Sequence, residues 1–407
     1  MAISINRFAQ RPYLSPFAQV IYAVLCGGML GGFMPELGVQ MKPLGDLFIS
    51  VVKLLVGPVI FFTVTAGIAT MGSIRQMSRI GIKALVYFEI LSILALLAGF
   101  AAAALLQPGA GFPIDAGTRA AVPPSDLSLL RTLGNAFLDS WVLQVLTAAI
   151  LSGVALALLG ERARRFSAGC ERIAGWLFGI VGLIMMAAPV AAFGAIAFTV
   201  GKYGITSVAP LLQLLGVLYL ATIVFVLAVL GAIARLAGFR ILRFMWYIRE
   251  ELMIVFGTAS SITAMPRLIE KLEQAGCTKT VARIAVPAGY SFNLNGSNIY
   301  IAVALLFLAQ AYGIELGPAS VLTILAVAMI TTKGASGVAG SAFIALAATL
   351  AAVPALPDGS LMFIVGIERL LKCRSLGNII GNGVACLAIS AWDGTLDRTK
   401  LRDAGIG

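Results

Sequence analysis

The sequence predicts an all-α polytopic membrane protein, and three observations carry that prediction. Of the 407 residues, 60% are hydrophobic and only 12% charged, more apolar surface than a soluble domain of this size can bury. About eight apolar stretches recur along the chain, each near the roughly 20 residues that a spanning helix needs. Two further apolar segments are interrupted by Gly and Ser near their middles, which a plain spanning helix does not require.

The stretches are 16–34, 44–70, 82–106, 141–160, 173–200, 207–234, 281–312 and 361–390. The first six read as ordinary helices. No short N-terminal apolar segment ends in a small-residue cleavage site, so Met1 is expected to belong to the mature chain. Basic residues alternate between the loops. Arg7 and Arg11 precede the first span, while Lys42 is nearly alone after it; Arg75 and Arg79 follow the second. The loop at 107–140 holds only Arg119 and Arg131. Arg162, Arg164, Arg165 and Arg172 follow the fourth span, Lys202 stands alone after the fifth, and Arg235, Arg240, Arg243 and Arg249 follow the sixth. This alternation places both termini in the cytoplasm. It also explains the net charge of +11 without nucleic acid as a partner.

The C-terminal third departs from simple spans. Residues 250–276 are apolar but broken by GTASSITAMP, and residues 318–353 are two apolar halves around TTKGASGVAGS. Each half is too short to cross comfortably, which marks a re-entrant hairpin. Such backbone is tolerated at membrane depth only where protein buries it or it lines a cavity. Two interrupted segments in equivalent places point to an inverted-repeat transporter with its site at the interruptions. Gly/Ser-rich helix packing is the plain alternative for a single break. Between the hairpins lies GYSFNLNGSNIYIAV, where Asn293, Asn295, Ser297 and Asn298 crowd one span with Gly296 among them. Asn and Gly favour local unwinding. Freed carbonyls and amide oxygens then make hard-cation ligands; interhelical hydrogen bonds are the alternative. Asn295-Gly296-Ser297 also matches a glycosylation acceptor, but it lies inside an apolar span.

The last span carries Arg374 within LMFIVGIERLLKCRSLGNIIGNGVACLAIS. A guanidinium in hydrocarbon is costly unless it is paired or faces a water-filled cavity. Arg374, Asn378 and Asn382 are each four apart and share one helix face. A polar stripe led by a cation suits an anion site within the membrane; an Arg paired with a neighbouring acid is the other reading. The five cysteines (Cys26, Cys170, Cys277, Cys373, Cys386) lack metal-ligand spacing and read as small apolar residues. The chain has no histidine, which removes the usual metal ligand, general base and proton shuttle. With no nucleophile–base pair, metal cluster or phosphate loop, neither an enzyme nor a cofactor is expected.

At these motifs the chain resembles the dicarboxylate/amino acid:cation symporter family, which includes glutamate transporters, and is most similar to bacterial C4-dicarboxylate transport proteins. The likeness runs from about 16 to 398 through MKPLGDLF, PVIFFTVTAGIA, YFEI, YIREELMIVFGT, GYSFNLNGS, KGASGVAGSAFIALAATL and GNGVA. The resemblance implies eight transmembrane helices, two re-entrant hairpins, a homotrimer in the bacterial inner membrane, and elevator motion. The implied scaffold is mainly helices 1, 2, 4 and 5 (12–72 and 135–203). The implied transport core is helices 3 and 6 with 243–393: first hairpin 250–276, unwound helix 281–312, second hairpin 318–353, last helix 361–393.

Residue by residue, the resemblance implies that Arg374 and Asn378 bind a substrate carboxylate. Ser260 and Ser261 match the first hairpin tip and Ser297 the hydroxyl after the unwound motif. Thr332 to Gly340, including Ser336 and Gly337, match the second tip, which acts as the gate. Two anion-binding poles result, one a forked guanidinium and the other hydroxyls with hairpin-tip N–H groups, which suits a small dicarboxylate. Asn293, Asn295, Asn382, Ser92 and Thr332 are the candidate ion ligands.

The departures shape the expectation. Asn295 stands where the family usually has an aspartate sodium ligand, and Asn382 where glutamate transporters have a second one, although dicarboxylate carriers often have Asn there too. Ala259 and Ile262 replace a serine and a glutamate of the first tip. The segment from Glu368 to Arg374 looks one residue short, so the acid that would bind an amino acid's ammonium is deleted or replaced by Leu371. Lys372 is either a site group or the i,i+4 partner of Glu368. The expectation is therefore import of C4-dicarboxylates such as succinate, fumarate or malate, coupled to sodium or protons, with fewer sodium ions than glutamate transporters use. Glu89 and Glu368 are the candidate proton carriers. An acidic amino acid symporter is the alternative within the family. A degenerate sensor or uncoupled anion conductor is the alternative outside active transport.

Overall fold

The computed structural model describes residues 16–77, 79–112, 141–334, 337–351 and 356–407, and every regular element among them is a helix. The first part comprises α1 (Pro16–Phe33), a short turn of helix at Pro35–Gln40, α2 (Lys42–Met77), α3 (Arg79–Leu106), α4 (Trp141–Leu159), α5 (Arg164–Ile184) and α6 (Ala188–Tyr203). Next come α7 (Val208–Val224) and α8 (Gly231–Ala237). The remainder holds α9 (Arg249–Thr258), α10 (Met265–Gln274), α11 (Lys279–Phe292), α12 (Asn295–Ala311), α13 (Pro318–Thr331), α14 (Ser341–Ala351), α15 (Leu361–Val365) and α16 (Cys373–Trp392). Arg7, Arg11, Arg119, Arg131 and Ser336 lie outside the described residues.

Six helical stretches among the described residues are long and apolar enough to cross a membrane, and four shorter apolar helices accompany them. The shorter ones include Ser320–Thr331 and Ser341–Ala351, the two arms of the second interrupted segment. Large apolar side chains such as Leu25, Leu54, Leu105, Leu158 and Leu236 are exposed, as a lipid-facing surface requires.

Three expected spans differ from the simple reading. The span at 173–200 starts earlier, at Arg164, and is broken by a 3₁₀ turn at Met185–Ala187. Pro189 follows in the first turn of α6, where its missing N–H costs nothing. The span at 207–234 contains a π-helical turn at Phe225–Leu230, a wider winding that extends one ladder register. The helix expected at 361–393 is three pieces: α15, a 3₁₀ turn at Glu368–Leu370, and α16. The backbone leaves the helical region at Leu371 (φ −81°, ψ 47°). The cause is tertiary: the turn brings Glu368 onto Arg374 and Tyr300.

Two packing groups position the site. α1 and the Pro35–Gln40 turn lie on α6, while α2 packs on α4, α5 and α6. In the second group α3 packs on α11, α12 and α16; α11 and α12 also pack on α16, and α7 covers α12. α14 reaches back to α2. The most apolar part of the Lys279–Ala311 stretch is wholly buried, so protein shields the backbone break inside it.

Candidate functional site

The two hairpin tips meet. α9 ends at Ala259, held at φ 53°, the left-handed region that an alanine adopts only at a cost. Ser260 is extended, and a 3₁₀ turn at Ser261–Ala264 leads into α10. The second tip leaves α13 through a 3₁₀ turn at Thr332–Gly334 and re-enters helix at Ser341. Across the junction, Gly337 O accepts from Ser260 Oγ (2.9 Å), Ser261 Oγ (3.4 Å) and the Ile262 N–H (3.3 Å). A Cβ on Gly337 would stand 2.3 Å from Ser261 Oγ and 2.9 Å from Tyr290 Cδ1, so only glycine allows this approach. Ser375 Oγ donates to Ala259 O (3.1 Å), tying the first tip to α16.

The expected unwinding is present. α11 stops at Phe292, Asn293 (φ −123°, ψ 54°) and Leu294 (φ −91°, ψ 62°) are non-helical, and α12 starts at Asn295. Gly296 sits directly on α16, where a Cβ would come 2.1 Å from Arg374 O. The amide of Asn378 grips the start of α12. Its Oδ1 accepts from the Ser297 N–H (3.2 Å), and its Nδ2 donates to Ser297 Oγ (3.0 Å). One turn further on, Asn382 Oδ1 accepts from Asn293 Nδ2 (3.1 Å). The face predicted from the four-residue spacing therefore meets the break. Buried amide atoms of Asn293, Asn295, Asn298 and Asn382 have no hydrogen-bond partner among the described residues. Such groups are rare in folded interiors, and the amide oxygens among them are hard-cation ligands by chemistry.

Arg374 is 8% exposed and pairs with Glu368, itself 3% exposed, at 2.7 Å. Tyr300 completes the arrangement: its hydroxyl donates to Glu368 Oε2 (2.9 Å), and the guanidinium lies 4.9 Å from its ring centroid. A buried ion pair needs such extra partners to offset its desolvation. Lys372 does not pair with Glu368. Its Nζ donates to Phe256 O (2.8 Å) and sits over the rings of Phe17 (3.8 Å) and Phe256 (4.5 Å). Helical i,i+4 spacing is lost because the chain is turning there. Arg369 donates to Met185 O. A small pocket of about 10 Å³, room for a single water, lies among these groups, lined by Ala259 of the first tip, Gly340 of the second, and Glu368, Arg369, Lys372 and Arg374. Three cations line it against one carboxylate.

Ser92 and Thr332, expected as ion ligands, are differently engaged. Thr332 Oγ1 donates back to Ala328 O (2.8 Å). Ser92 Oγ donates to the freed carbonyl of Phe292 (3.2 Å). It also receives a hydrogen bond from Lys333 Nζ (3.2 Å), which reaches Phe292 O (3.1 Å) and Glu89 Oε1 (2.9 Å) as well. Lys333 lies within the expected second tip but was not singled out as a site residue. Its signal was a single cation at the Gly-rich break, matched by a single acid in the span at 82–106.

The model of the sodium:dicarboxylate symporter family matches residues 17–392. The chain is 51% identical over 404 residues to C4-dicarboxylate transport proteins of Burkholderia orbicola and Burkholderia pseudomallei, covering 95% of this chain and 94% of each relative. It is 51% identical over 407 residues to that of Burkholderia ambifaria, covering 96% and 95%. With two re-entrant tips, an unwound buried helix and a matching span of nearly the whole chain, the protein belongs to the sodium:dicarboxylate symporter family.

Proposed function

We propose that the protein is a secondary active symporter that imports C4-dicarboxylates such as succinate, fumarate or malate across the bacterial inner membrane, with cation coupling. The observation that carries this reading is the charge of the pocket between the tips: Arg369, Lys372 and Arg374 against Glu368 alone. That balance favours a dianion.

Arg374 takes one carboxylate bidentately, exchanging Glu368 for substrate. The other carboxylate takes over the donors that now converge on Gly337 O, namely Ser260 Oγ, Ser261 Oγ and the Ile262 N–H. Asn378, joined to Ser297, holds the geometry between the poles. An acidic amino acid needs an added acid for its ammonium. The acid that the resemblance would supply is deleted or replaced by Leu371, so the dicarboxylate reading is preferred. The coupling cation is a proton, sodium or both. Glu89 and Glu368 are the proton-carrier candidates, and Asn293, Asn295 and Asn382 the sodium-ligand candidates. In this reading the two packing groups correspond to a fixed scaffold and a moving transport core of a homotrimer, with both termini cytoplasmic.

Proteoliposome uptake tests the proposal. Labelled succinate should accumulate against its gradient, more readily than aspartate, when a sodium or proton gradient is imposed. Downhill-only flux would make the protein a uniporter or channel, and binding without flux a sensor.

A further inference from the structure

The contacts of Lys333 carry an inference beyond the import reading. An ammonium has three N–H donors and no acceptor. Those of Lys333 find Glu89 Oε1 at 2.9 Å, Phe292 O at 3.1 Å and Ser92 Oγ at 3.2 Å. A carboxylate, a freed backbone carbonyl and a hydroxyl are also the oxygen types that bind a hard inorganic cation. The lysine side chain is 13% exposed, so its charge is held largely by these three oxygens rather than by water. The carbonyl comes from the last residue of α11, immediately before the unwound Asn293–Leu294 pair. The carboxylate and hydroxyl come from α3, one turn apart. The lysine comes from the turn Thr332–Gly334, which leads directly into the second hairpin tip.

We propose that the Lys333 ammonium is a tethered cation: it occupies the oxygen cluster of Glu89, Ser92 and Phe292 O in place of an inorganic ion, and so seats the second hairpin on the unwound helix without one. The inference rests on the import reading only for the gating role of that hairpin. Chemically, the lysine does two things that a free ion would do. It neutralises the Glu89 carboxylate and adds a charged donor to the Phe292 carbonyl, which Ser92 Oγ also reaches. Unlike a free ion, it is delivered by the hairpin itself, so closing the tip and filling the cluster are one event. Opening the tip must break three hydrogen bonds from a charged donor, each stronger than a neutral one.

The test is substitution at Lys333 with the cation response as readout. In Lys333→Met the oxygens remain and the tethered charge is gone, so sodium from solution can take its place. Uptake of succinate in sodium-free choline buffer should fall about tenfold or more, equivalent to about 1.4 kcal/mol, and sodium should restore it. Independently of transport, the melting temperature of the substrate-free Lys333→Met protein should rise with sodium more than that of wild type. Glu89→Gln added to Lys333→Met should remove that extra rise. If Lys333→Met is not monodisperse, Lys333→Cys in a Cys26→Ser, Cys170→Ser background serves. Modification with an aminoethyl methanethiosulfonate should restore sodium independence, and the methyl reagent should not. Identical sodium responses of wild type and variant overturn the proposal, as does equal rescue by the two reagents. Failure of wild type to import succinate overturns the import reading instead, while the melting arm still decides the role of Lys333.

Discussion

Removing Arg374 tests the proposed site most sharply, because the import reading gives the side chain two roles that a double variant separates. The guanidinium is nearly buried and 2.7 Å from a carboxylate that is only 3% exposed. Arg374→Ala leaves Glu368 with the Tyr300 hydroxyl as its remaining partner. Stranding one member of a buried pair costs roughly 3–5 kcal/mol, and losing the cation–π contact with Tyr300 adds on the order of 1–2 kcal/mol. The single variant should therefore melt well below wild type and import no succinate. Glu368→Gln on the same background removes the stranded charge while the Tyr300 hydroxyl keeps an amide oxygen to donate to. The double variant should recover most of the lost stability, to within about 2 kcal/mol of wild type, and still import nothing. Thermal unfolding in lipid nanodiscs and succinate uptake in proteoliposomes measure the two roles separately. Near-normal uptake by the double variant would show that Arg374 only balances Glu368 and does not touch substrate. An Arg374→Ala protein as stable as wild type would refute the buried pair.

Gly337→Val should abolish high-affinity succinate binding with little effect on folding of the scaffold helices, because a Cβ there meets Ser261 Oγ at 2.3 Å; intact binding would remove the tip-to-tip contact from the mechanism. Ala259→Gly should raise stability by about 1 kcal/mol by relieving the left-handed backbone at φ 53°, read as a higher melting temperature; a lower one would show that the tip needs the alanine for packing. Wild-type uptake should persist in sodium-free buffer and respond to an imposed pH gradient; strict sodium dependence with a Hill coefficient above about two would rule that out. Full proton coupling in a Glu89→Gln, Glu368→Gln double variant would exclude both as carriers.

Much of the site was legible because its signals are local. Gly and Ser inside an apolar segment predict a re-entrant turn wherever they fall, and both hairpins are where GTASSITAMP and TTKGASGVAGS put them. The Asn and Gly crowded at 293–298 predict unwinding for the same reason, and the four-residue spacing of Arg374, Asn378 and Asn382 predicts one face. The pairings that complete the site were not legible. Gly366 is the one local weak point; Leu370, Leu371 and Lys372 are good helix formers, so little else local announces the turn at 366–372. It exists because Tyr300, far upstream in α12, and Arg374 both draw in Glu368. The partners Glu89 and Lys333 lie in segments that meet only through the fold. A lone charge in an apolar run says that it needs a partner, but not which one.

The charges form two separate accounts, and their separation bears on coupling. Near the tips, Arg369, Lys372 and Arg374 exceed Glu368, so that region attracts an anion and repels added cations. At the unwound helix, Lys333 and Glu89 cancel each other, and the neighbouring amides of Asn293, Asn295 and Asn382 carry no charge. A family member with aspartates at the last two positions can hold cations through its own anions before substrate arrives. Here the protein supplies oxygens without that countercharge, so under the import reading the countercharge must come with the substrate. A bound dianion neutralises the excess at the tips and lowers the cost of placing a proton or sodium ion nearby. Linkage makes the effect reciprocal: whatever the substrate adds to cation affinity, the cation adds to substrate affinity. Under the import reading, asparagine at these two positions is then compatible with symport, with the coupling free energy arising where substrate and ion meet.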